Sequence, residues 1–262
     1  MTCVLYRSCY DWEQEKEFAE KYYECFKNRT LIPCDELVIA RFSCLPFYKE
    51  LEDDLSYFKS KLINSYQQHI YISDLEQWYS DLYNYTPKSY FRLEDLPNEG
   101  SFVLKGETNS KKQNWNTHMF AASKVEAITV QGRLLQDGLI GSQKIIAREY
   151  VPLVEYAKSI GGLPISKEFR FFCYKEKIIC GGFYWENFWD DSFGDKPKIE
   201  DVPINFLKKL TKIISQNTNA YVIDVAQTKE GEWILIELND LQMSGLCGID
   251  PDLFYKNLSL II

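Results

Sequence analysis

At 262 residues the chain is long enough for one large domain or two modest ones with real cores, and 45% hydrophobic with 26% charged residues is an ordinary globular balance. A formal net charge of −8 disfavours generic binding to phosphate backbones, and no apolar run approaches membrane-spanning length. The N-terminus has no basic segment leading into an apolar one, so it does not read as a signal peptide and a cytoplasmic location is expected.

Residues 11–28 carry apolar positions at helical spacing and predict an amphipathic helix. Residues 37–42, LVIARF, predict a buried strand, with Pro46 soon after. Residues 49–63 are charged and helical in pattern, and residues 73–84 predict a helix with a capping box of Ser73 and Glu76. Thr86-Pro87 then breaks the chain. Residues 101–105 predict a strand, 106–116 a polar loop, 117–127 a helix and 145–151 a strand ending at Pro152. Residues 168–174 and 178–185 form a predicted hairpin. The acidic stretch 186–202 reads as a surface insertion or a lid, and 203–216 as an amphipathic helix. A second hairpin pairs 221–227 with 233–239 about Gly231. This mixture predicts α+β or α/β architecture. The eight cysteines contain no C-x-x-C pair and there are only two histidines, so reduced thiols are expected rather than a zinc site.

The sharpest chemical signal is the last hairpin. Glu237 lies inside the apolar run WILIEL and Asp224 inside YVIDVA, and a buried carboxylate needs compensation. Glu237 and Asn239 share a strand face, and the hairpin brings Asp224 within a residue or two of the position opposite Glu237. Two carboxylates and an amide oxygen suit Mg²⁺; solvated strand-edge acids are the competing reading. Lys105 ends an apolar strand, and the loop after it carries Lys111 and Lys112, cations able to close over a polyphosphate or simply to face solvent. Arg170 alternates with Glu168 on one strand, as a phosphate clamp or as half of an ion pair.

Taken in order, Lys105 with its loop, IIAREYV, EFRFF, IDVA and IELND resemble the ATP-grasp superfamily, over roughly residues 85–258. More narrowly they resemble its clade named for one arginine and two lysines, and distantly the cell-division-cycle assembly factors of translation initiation. The resemblance implies an α+β ATP-grasp fold: two lobes holding nucleotide between them, with an N-terminal α/β subdomain. It divides the chain at 1–85, 86–151 and 152–262. It implies ATP and Mg²⁺ as cofactors, with Lys88, Lys105, Lys111, Lys112, Glu149, Tyr150, Val151, Glu155 and Arg170 around the nucleotide. Lys105 and Arg170 would act in catalysis, Asp224, Glu237 and Asn239 on the metal, and Ser244 and Gly245 on substrate. The chain departs from many members in lacking a glycine-dense phosphate loop; Gly106 stands nearly alone between Lys105 and Ser110.

The expected activity is an ADP-forming carboxylate–amine ligase, in which a small-molecule or peptide carboxylate becomes an acyl phosphate and a nucleophile takes the acyl group. An ATP-binding assembly or chaperone factor for a protein partner is one alternative, and an adenylyl-transferring nucleic-acid ligase another. Neither nucleic acid nor membrane is an expected partner.

Overall fold

The computed structural model describes residues 1–262, the side chains of Tyr10, Asp11 and Ile160 apart. The chain opens with a small parallel sheet. β1 (Thr2–Tyr6) is followed by α1 (Tyr10–Ala19), β2 (Glu24–Phe26), β3 (Leu37–Arg41), α2 (Tyr48–Tyr57) and β4 (Lys61–Leu62), and the strand order is β2-β1-β3-β4. Two expected helices are shorter here. The first ends at Ala19, because Cys25 and Phe26 pair beside Val4 and Leu5. The second ends at Tyr57, because Lys61 and Leu62 pair with β3. In both, cross-strand partners outweigh a local helical pattern.

Next come α3 (Tyr66–Ser73) and α4 (Leu75–Leu82). The capping box belongs to α3 and is made by Ser65 and Gln68; Ser73 closes that helix instead of opening the next. α4 is capped by Asp74, whose carboxylate accepts from the Glu76 amide at 2.9 Å.

An antiparallel sheet follows, built from β5 (Ser89–Tyr90), β6 (Phe102–Gly106), β7 (Phe120–Ala121), the helix α5 (Lys124–Leu135) and β8 (Ile145–Glu149), in the order β5-β8-β6-β7. On β6, Phe102 and Leu104 join a core with Ala127, Val130 and Leu134 of α5, while Val103 and Lys105 turn to the opposite face. The helix expected at 117–127 begins at Lys124, capped by Ser123; residues 115–119 form a π-helical turn and Phe120 pairs with Val103.

A ribbon of β9 (Glu155–Lys158) and β10 (Pro164–Ser166) leads into the largest sheet: β11 (Glu168–Tyr174), β12 (Lys177–Phe183), then α6 (Ile204–Ile214), β13 (Ala220–Gln227) and β14 (Trp233–Asp240), in the order β12-β11-β13-β14. One face packs Phe169, Phe171, Ile223 and Val225 against Trp78, Leu82, Leu207 and Leu210. The other packs Phe172 and Val222 with Phe254 and Leu258 of α7 (Pro251–Ser259), with Val4 and Ile39 of the first sheet, and with Trp12 of α1. The first sheet is therefore welded to the largest one, while the lobe of β5–β8 keeps a core of its own and contributes Ile146 to the large one. Residues 186–201 form three short 3₁₀ turns, and Trp189 and Phe193 pack from them onto the large core.

Candidate functional site

The register of the large sheet builds the site. Arg170 pairs with Asp224 on β13, and Asp224 pairs with Glu237 on β14, so the three stand in one row. Immediately beyond, Val225 pairs with Leu235, which leaves Ile236 as an extra residue in a β-bulge. The bulge turns the consecutive side chains Ile236 and Glu237 into the same cleft, while Leu235 and Leu238 stay in the core.

Asp224 is 1% exposed and is held by Arg170 in a bidentate pair, Nε to Oδ1 at 2.8 Å and Nη2 to Oδ2 at 2.7 Å. Arg170 Nη1 also donates to the Gly245 carbonyl at 3.0 Å. Asn239 Nδ2 reaches Asp224 Oδ2 at 3.4 Å, which leaves the Asn239 carbonyl oxygen free as a donor to a cation. The Lys105 ammonium ion-pairs with Glu237. Burial pushes Glu237 up, but Lys105, Lys112 and Arg170 outweigh it and hold this carboxyl down to about 2.

Among the described residues no group of three or more His, Cys, Asp or Glu side chains could hold a metal ion. The candidate set is two carboxylates and one amide, all hard oxygens, and it fits Mg²⁺ with phosphate and water as the remaining ligands. Asp224 would serve through lone pairs that Arg170 leaves open.

Two cavities meet at Glu237, the one member of the row that lines them; Arg170 and Asp224 line neither. The first is a slot between the sheets, with apolar walls from Val103, Met119, Leu153, Ile234 and Ile236, an edge formed by Glu149, Tyr150 and Val151, and Lys112 and Glu168 at its inner end. The second opens towards the N-terminal part, lined by Ser43, Leu45, His69, Trp78, Asn109, Gln143, Asn239 and Ser244. Both share one wall, made of Lys105, Arg148 and Glu237.

The other expected residues divide clearly. Lys112 is in the slot: its ammonium donates to Tyr184 OH at 2.7 Å and lies 4.5 Å above that ring. Burial pulls Lys112 down, but Tyr184, Glu168 and Glu237 outweigh it and raise it above the usual lysine range. Lys111 instead pairs with Asp137 at 2.6 Å, outside the slot lining. Lys88 is 63% exposed and lies 3.8 Å from Glu149, on the hinge side and apart from Lys105. At the hinge, the Tyr150 amide donates to Ser101 O at 2.8 Å, whereas the Val151 amide has no protein acceptor among the described residues. Glu155 stands exposed at the rim. Ser244 Oγ donates to Asp240 O, and Gly245 presents its carbonyl to Arg170; Ser244 lines the second cavity, while Gly245 lines the adjoining pocket at the end of the first sheet.

Sequence reading missed three groups. Arg148, expected only as part of the hinge strand, sends its guanidinium inward to Ile236 O at 2.5 Å and Thr86 Oγ1 at 2.6 Å. No carboxylate pairs with it among the described residues, and burial pulls it down to about 10 against the opposing pull of Glu237 and Tyr79. Glu168 is buried beside Lys112, and burial pushes it up to about 7. His69 and Asp240 form a buried pair at 3.1 Å. The signal available for each was a polar residue inside an apolar stretch; its partner was far away in sequence.

The same architecture occurs in known proteins. The crystal structure of the D-cycloserine synthetase DcsG superposes with a TM-score of 0.62 at 10% identity, covering 99% of each chain. D-alanine–D-alanine ligase from Bacillus anthracis, solved with ATP, gives 0.58 at 13% identity, covering 99% of this chain and 97% of that one. Cdc123 from Schizosaccharomyces pombe aligns at 18% identity over 66% of this chain and 84% of its own, but a TM-score of 0.42 carries no argument. These likenesses establish the fold. A search of curated protein sequences finds no match. The sequence profile of the ATP-grasp domain of family 3, in the clade named for one arginine and two lysines, matches residues 93–258, well over half of the chain, and the protein therefore belongs to that family.

Proposed function

We propose that the protein is an ATP- and Mg²⁺-dependent ligase that activates a carboxylate as an acyl phosphate and passes the acyl group to an amine, releasing ADP and phosphate. The carrying observation is the shared wall: Lys105, Arg148 and Glu237 face an apolar-walled slot on one side and a second, mixed-lined chamber on the other. A terminal phosphate lying against that wall can be reached from the chamber. Adenine would sit in the apolar slot against Tyr150 and Val151, with Glu149 and Lys88 at the hinge and Glu155 near the ribose. Lys105, Lys112 and Arg148 supply positive charge for the triphosphate; Lys111 is a more distant contributor. Asp224, Glu237 and Asn239 would hold Mg²⁺, which supplies Lewis-acid charge to the phosphates when bound. Arg170 fixes Asp224 and adds positive charge behind it. Ser244 would border the acyl substrate in the chamber, with Gly245 next to it in the adjoining pocket. Residues 1–85 form the acceptor side, 86–151 the small lobe and 152–262 the metal-bearing lobe. All eight cysteines are free, which suits a reducing cytoplasm.

The direct test supplies MgATP, hydroxylamine as nucleophile, and single amino acids including D-alanine as carboxylates. Equimolar ADP, phosphate and hydroxamate are expected. AMP would point to adenylyl transfer, and ATP bound without turnover to an assembly factor; either outcome overturns the ligase reading. Glu237→Ala should lower turnover by roughly 100-fold or more while the fold survives. Full activity in saturating MgATP would remove this site from consideration.

A further inference from the structure

His69 lies on α3, in the part of the chain outside the resemblance, and is 2% exposed. Its Nδ1 is 3.1 Å from Asp240 Oδ2. The carboxylate accepts, so Nδ1 carries a proton, and in the neutral ring Nε2 holds the lone pair. The ring is clamped in place: it stacks on Tyr48 at 4.3 Å, and Asp240 is itself oriented by Asn64 Nδ2 at 3.2 Å and the Gln242 amide at 3.0 Å. A histidine retained only for packing would be expected to have both nitrogens satisfied. Nε2 has no protein partner among the described residues and is not one of the sealed, unpartnered polar atoms, and the residue lines the chamber that also holds Lys105, Glu237 and Asn239.

We propose, resting on the ligase reading, that His69 is the general base for the acceptor and that Asp240 positions it. The nucleophile enters as an ammonium and gives one proton to Nε2. Its freed electron pair forms the C–N bond at the acyl carbon, and the C–O bond to phosphate breaks. The second proton leaves with the phosphate, and imidazolium, stabilised by Asp240, returns its proton to water. Asp240 follows Asn239 directly, so one strand end carries both a candidate metal ligand and the residue that aims the base.

The reading is tested with two nucleophiles on the active carboxylate found in the screen above: hydroxylamine, largely unprotonated at neutral pH, and D-alanine, an ammonium. His69→Gln should lose roughly 100-fold or more with D-alanine, while hydroxylamine restores at least half of the wild-type rate. That rescue also certifies the fold. His69→Ala should regain D-alanine turnover on adding imidazole. Equal losses with both nucleophiles and no response to imidazole would make His69 a structural residue and overturn the proposal. A wild-type protein that forms ADP with hydroxylamine and whose D-alanine reaction is unchanged in His69→Gln overturns the proposal alone. No ADP from the wild type under any condition overturns the ligase reading, and this inference with it.

Discussion

Buried charge is what sets this site apart at the level of single residues. Asp224 and Glu237 stood out in the sequence because a carboxylate inside an apolar strand demands a partner. The partners are Arg170 and Lys105, 54 and 132 residues away, and no local pattern could assign them. Glu168 shows the opposite solution. Burial, with the added repulsion of Asp224 and Glu237, outweighs Lys112 and Arg170 and lifts it from 4.5 to about 7. Between those two values the native state keeps a proton that the unfolded chain releases. Stability is therefore full below about pH 4.5 and falls as pH rises through 7, by up to about 3 kcal/mol from this group. Glu168→Gln should flatten that part of the curve of melting temperature against pH. An unchanged slope in the variant would show that Glu168 takes up its proton equally in the native and unfolded states. Arg148 and His69 were illegible for the reason Arg170 was half legible: a guanidinium or imidazole in a strand or helix reads as surface until the neighbour, here Ile236 or Asp240, is known.

Among the elements, the β-bulge at Ile236 decides what the last hairpin can do. The sequence showed the two strands and the turn at Gly231, but a period-2 pattern cannot reveal where an extra residue is inserted. Without it, Glu237 and Ile236 would face opposite sides. The loop after Lys105 was legible as polar and lysine-bearing, and its closure was not. That closure depends on a second element, the Gly161-Gly162 turn, whose residues have φ of 81° and 83°. A Cβ on Gly161 would stand 2.1 Å from Gln113 O, so only glycine lets the loop carrying Lys112 lie against the large lobe. Gly161→Ala should cost about 1–3 kcal/mol and weaken MgATP binding by detaching Lys112. Gly231→Ala is the control: its φ is also positive, at 90°, but nothing lies within 4 Å of the added methyl, so nucleotide affinity should hold. Calorimetric titration of both variants decides it, and equal affinity in the two would mean the loop does not present Lys112 to nucleotide.

For the molecule as a whole, the cores predict which parts move together. Strands β11 and β13 lend one face to the core with α4 and α6, and the other to the core with α7 and the first sheet. The N-terminal sheet thus cannot unfold without exposing Phe172, Val222 and Leu258. The lobe of β5–β8 has its own core around Phe102, Leu104 and Val130, and meets the large sheet through Ile146, which is buried in the large core, and through polar contacts, among them Arg148 to Ile236 O and Thr86 to Leu235 O. Opening this lobe over a ligand would shift Ile146 against the large core and rearrange these hydrogen bonds, while the lobe's own core around Phe102 stays packed. Leu258 is fully buried where the first and last elements meet, so Leu258→Ala should cost about 2–5 kcal/mol. It should lower amide protection in β1 and β13 together, leaving β6 and β8 comparatively unaffected. MgATP should instead protect the small lobe most, in residues 103–119 and around Val151, since that is where a bound nucleotide bridges the two lobes. Hydrogen exchange read by mass spectrometry resolves these segments. If β1 opened at a lower free energy than β13 in the wild type, the first sheet would be a separate unit. The shared core would then not be what holds His69 and Asp240 in one chamber.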